Sequence, residues 1–71
     1  MIIDTFHHSR WDETFNIFLD EDKDCELIGV ERFIGNIGGD PIRYESLGEI
    51  PQPHRHEVEQ RIYEIKKAKR K

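Results

Sequence analysis

The residues best suited to chemistry lie between positions 20 and 31, where the chain reads DEDKDCELIGVE. Asp20, Asp22 and Asp24 alternate, so an extended or turning backbone can bring their carboxylates to one side. Glu31 adds a further acid downstream. Several oxygens converging in this way suit a hard divalent cation. The histidines form a second group. His7 and His8 are adjacent, and His54 and His56 share one side of an extended segment. With Cys25 they are numerous enough for zinc, but their spacing matches no zinc-finger pattern. Cys25 and a distant histidine can be written as nucleophile and base, yet nothing in their spacing selects that pairing. The glycine-rich IGNIGGD fits neither a dinucleotide-binding nor a phosphate-binding loop. The expectation is a protein with no catalytic set and no cofactor.

The acidic stretch resembles a calcium-binding EF-hand loop over 12 of the 71 residues. Asp20, Asp22 and Asp24 stand in the first three ligand places, Glu31 in the place of the closing bidentate carboxylate, and Leu27 where that family is apolar. The resemblance implies a cation held by Asp20, Asp22, Asp24 and Glu31. It breaks at Cys25, which replaces the glycine of the family's sharp turn, and at Ile28, which offers no ligand atom. The residues around Gly29 suit an outgoing strand better than a helix. An acidic hairpin tip explains the same residues without a metal.

Charge divides the chain. Residues 1–50 hold twelve acids and four bases (4 − 12 = −8), and residues 51–71 hold three acids and seven bases (7 − 3 = +4), which sums to the net −4. The basic end comprises Lys66, Lys67, Lys69, Arg70 and Lys71. Cations at a helix C-terminus complement its dipole. They could instead bind phosphates, which makes nucleic acid a second partner class, although the acidic body repels a polyanion. Trp11, Phe15 and Phe18 form the densest aromatic group. They read as core, and any left exposed would mark a contact patch beside the acids at 20, 22 and 24.

The elements that must position these residues are few. The chain is 71 residues and 8.5 kDa, with 35% apolar and 37% charged residues. That suffices for one small domain, residues 1–71, with a thin core. No apolar run is long enough to span a membrane. The segment MIIDTFHHSRW lacks the basic start and apolar stretch of a secretory signal, and a lone cysteine cannot staple the fold, so the expected setting is cytoplasmic.

Pro51 and Pro53 separate an acidic, β-rich body (1–50) from a C-terminal helix (54–71). Val58, Ile62 and Ile65 give that helix one apolar stripe, Tyr63 lies off it, and Glu57 and Arg61 are spaced as a helical ion pair. In the body, 25–34 reads as a strand on Ile28, Val30 and Ile34, 35–41 as a turn, and 42–45 as a short strand. Residues 14–19 alternate like a strand and also fit a helical stripe with Trp11. The strand is preferred because 20–24 then closes a hairpin. Ile2, Ile3 and Phe6 suit an edge strand. The expected fold is α+β, a small antiparallel meander of two to four strands packed on one C-terminal helix.

The expected function is a non-enzymatic protein-binding module. It would act through a larger protein partner or by self-association, as an accessory factor or as an inhibitor of the kind phages and mobile elements carry. Trp11, Phe15, Phe18, Asp20, Asp22 and Asp24 are its candidate contact residues. The alternatives are nucleic-acid association through the basic helix end and calcium binding at 20–31.

Overall fold

Phe15, Ile17 and Leu19 alternate with Thr14, Asn16 and Phe18, and this two-residue period decides the ambiguous segment. It is the strand β2 (Glu13–Asp20), every second residue of which is buried. The computed structural model describes residues 1–35 and 40–69. Along the chain it has strands β1 (Ile2–His8), β2, β3 (Glu26–Ile34) and β4 (Ile42–Tyr44), then helix α1 (His54–Lys69). Short 3-10 turns occupy Glu21–Lys23 and Leu47–Glu49. The strands form one antiparallel sheet in the order β1-β2-β3-β4, and the protein is a small α+β fold. Residues 36–39, most of the glycine-rich turn expected at 35–41, lie outside the described residues, as do Arg70 and Lys71.

The helix and the central strands match in length. Sixteen residues of helix span about 24 Å, close to the roughly 26 Å of an eight-residue strand. α1 therefore covers the inner face of the sheet from end to end. His54 lies beside Trp11 in the β1–β2 turn, and Lys69 reaches Glu21 at the β2–β3 tip. The core holds Phe15, Ile17 and Leu19 from β2, Val30 from β3, Val58 and Ile62 from α1, and Cys25 and Ile50 from the connections. Ile65 is half-buried at its margin, so the expected stripe faces the sheet, while Tyr63 is exposed. Ile50 plugs the core between β4 and α1, held by the Arg55 side chain, whose Nε donates to the Ile50 carbonyl at 2.9 Å.

β3 departs from the expected strand in two ways. Cys25 is not part of it: with Asp24 it takes a left-handed backbone (φ +58° and +55°) that turns the chain into the strand. The register also slips, Phe18 pairing with Gly29 and Leu19 with Leu27, so Ile28 is an extra residue, a β-bulge. The bulge takes Ile28 out of the even series, while Val30 and Ile34 keep one face as partners of Ile17 and Glu13. Val30 is buried, whereas Ile28 and Ile34 are exposed.

Candidate protein-binding surface

The face of the sheet turned away from α1 is built by the outward positions of β1, β2 and β3. Ile3 pairs with Phe18, and Phe18 with Gly29, in one row across three strands; Ile28, the bulge residue, precedes Gly29 in the chain. Ile3 is 55% exposed and Ile28 40% exposed. Phe18 is half-buried because the Arg43 guanidinium lies over its ring, 5.5 Å from the centroid. Gly29 permits this, since a Cβ there would come within 2.5 Å of the Arg43 Nη2. Arg43 also faces Glu31 at 3.7 Å and Glu45 at 3.5 Å. The next row, Thr5, Asn16, Glu31 and Arg43, is polar, and Thr5 Oγ1 donates to Asn16 Oδ1. Beyond it lie His7, Thr14 and the exposed Phe33. At the near end, Asp20 and Glu26 are register partners, both following the outward alternation.

The three aromatic residues expected to act together are separated. Phe15 is only 1% exposed and stacks on Phe6 inside the core, so it is not a contact residue of the folded chain. Trp11 lies at the opposite end of the sheet from the acidic tip, stacked on the His8 ring at 4.3 Å and set edge-on to His54 at 4.9 Å. Phe18 alone belongs to the outer face. The alternation of β2 sends Phe15 and Phe18 to opposite sides.

The four EF-hand-like carboxylates also part. Asp20 caps the 3-10 turn, its Oδ1 accepting from the Asp22 amide at 3.0 Å, and Asp24 adopts its left-handed turn geometry. Glu31 lies five residues along β3 from Glu26, the partner of Asp20, which is roughly 15 Å from the tip. Its side chain is turned to Arg43. A strand follows the turn where an EF-hand has a helix. The histidines and Cys25 are likewise apart. His8 and His54 approach each other, with ring centroids 6.2 Å apart, but His7 is turned to Asp12 and Cys25 is at the other end of α1. Among the described residues no three His, Cys, Asp or Glu side chains group as metal ligands would.

The inner face carries a polar corner that the sequence did not announce. Glu13 is 6% exposed, and both its oxygens accept from Arg32, at 2.6 and 3.0 Å. This contact, with a further bond to the Tyr44 hydroxyl, raises the already high pKa of Arg32 against the opposing effect of burial. His54 Nε2 stands 3.4 Å from Glu13, and His8 Nε2 is 2.6 Å from Glu57. The Nδ1 atoms of both histidines are buried without a hydrogen-bond partner among the described residues. A carboxylate beside an imidazole can exchange a proton, but here Arg32 occupies both oxygens of Glu13 and Trp11 packs on both rings. The arrangement joins the start of α1 to the sheet.

The basic helix end meets the acidic tip within the same chain. Lys69 Nζ lies 3.0 Å from Glu21 Oε2, and the amino terminus lies 3.4 Å from Oε1. The hydrogen bond and charge of Lys69 hold the Glu21 carboxyl below the usual glutamate range. One cation of the expected phosphate-binding set is therefore engaged by an acid, and two others, Arg70 and Lys71, are outside the described residues. The helical pair expected between Glu57 and Arg61 is replaced by contacts to β1. Glu57 takes His8, and Arg61 grips Asp4 with two bonds of 2.9 and 3.0 Å. Packing brings better-placed partners within reach than the neighbouring helical turn does.

Comparison of the chain with protein-family models, with curated proteins and with solved structures finds no match. Among the described residues, no helix is long and apolar enough to cross a membrane.

Proposed function

We propose that this chain is a non-enzymatic protein-binding module that docks on a larger protein through the outer face of its sheet. The observation carrying this reading is the row of Ile3 and Phe18 on the side opposite α1, with the exposed bulge residue Ile28 next in the chain to Gly29 of that row. Apolar side chains at the centre of a patch with polar groups round it are the usual anatomy of a contact surface. An accessory factor or an inhibitor acts in this way, by occupying a surface and without turning over a substrate. A cytoplasmic setting accords with the single cysteine being unpaired and buried. Nucleic-acid binding is the weaker alternative, since Lys69 already serves Glu21 and the acidic tip lies beside the basic end.

The test is affinity purification of the tagged chain beside its Ile3→Asp, Ile28→Asp and Tyr63→Asp variants, each first checked for folding by circular dichroism. The reading expects one partner protein that is recovered by the parent chain and by Tyr63→Asp, and lost with either isoleucine variant. A monomeric chain whose recovered proteins are indifferent to Ile3 and Ile28 would overturn it.

A further inference from the structure

We draw no further inference here: the strongest candidate, the row of Ile3 and Phe18 on the outer face of the sheet, carries nothing beyond the docking role already proposed, because nothing in the structure shows what covers it.

Discussion

Glu13 and Arg32 form a two-pronged ion pair on the covered face of the sheet, although the register does not set them opposite one another. Glu13 pairs with Ile34 and Phe15 pairs with Arg32, so the two charged residues are diagonal neighbours on one face. The long guanidinium arm closes that diagonal and also donates to Tyr44. Removing one partner leaves the other buried and uncompensated. Arg32→Met should therefore cost about 3 kcal/mol, a large fraction of the roughly 4–10 kcal/mol expected for a chain of this length. Replacing both together, Glu13→Leu with Arg32→Met, should recover most of that loss. Urea denaturation of the single and double variants checks it.

His54 should matter far less than its burial suggests. Glu13 keeps both bonds to Arg32 without it, and its Nδ1 is a buried atom without a partner. His54→Phe removes the orphan and keeps an aromatic ring against Trp11 and Phe15. The stability change should be within about 1 kcal/mol, since deleting an unsatisfied group offsets the lost contact. A loss as large as that of Arg32→Met, in the same denaturation assay, would show that the Glu13–His54 contact is a strong one.

Arg61 should couple to Asp4 and not to Glu57. The Asp4–Arg61 pair is partly exposed, so a double-mutant cycle with Asp4→Asn and Arg61→Gln should give about 0.5 kcal/mol. The cycle of Glu57→Gln with Arg61→Gln should give nothing measurable. Coupling of the second pair and not the first would place α1 differently on β1.

Gly29 and Arg43 should be non-additive. Gly29→Ala pushes the guanidinium off Phe18, because the obstructing atoms belong to the movable end of a side chain. The cost should be about 0.5–1 kcal/mol, the size of an exposed cation–π contact. In an Arg43→Ala background that cost should vanish, as thermal melts of the four variants would report.

Acid should loosen the join between the helix end and the tip. The pKa of Glu21 is lowered in the folded chain, so the Glu21–Lys69 contact contributes in full above the ordinary glutamate range. It fades as pH falls through the lowered folded value. Titration of the Glu21 carboxyl by carbon NMR should show the low value, and Lys69→Ala should return it toward that of a free glutamate. An unchanged titration would mean the pair does not form in solution.

Much of the architecture was legible in the residues. The alternation of 14–19, the acidic turn at 20–24, the proline break and the stripe of Val58, Ile62 and Ile65 are local patterns, and local patterns fix element type and the face that must be buried. Of the surface proposed for docking, only Phe18 and the acids were legible. Ile28 was read only as part of an even series with Val30 and Ile34 that marks a strand, which ignored the bulge; Gly29 was the available signal of that irregularity. Ile3 was read as part of an edge strand without its face being assigned.

By itself the sequence determined a meander and a helix, their order, and the division of acid from base along the chain, since each follows from short-range periodicity and composition. Tertiary structure decided who meets whom. It set Asp20 against Glu26, tied Arg61 to Asp4 and Glu57 to His8, joined Lys69 to Glu21, and turned Phe15 inward and Phe18 outward. Those pairings depend on strand register and on how one helix lies across a sheet, and register is a property of two segments packed together that neither segment encodes alone.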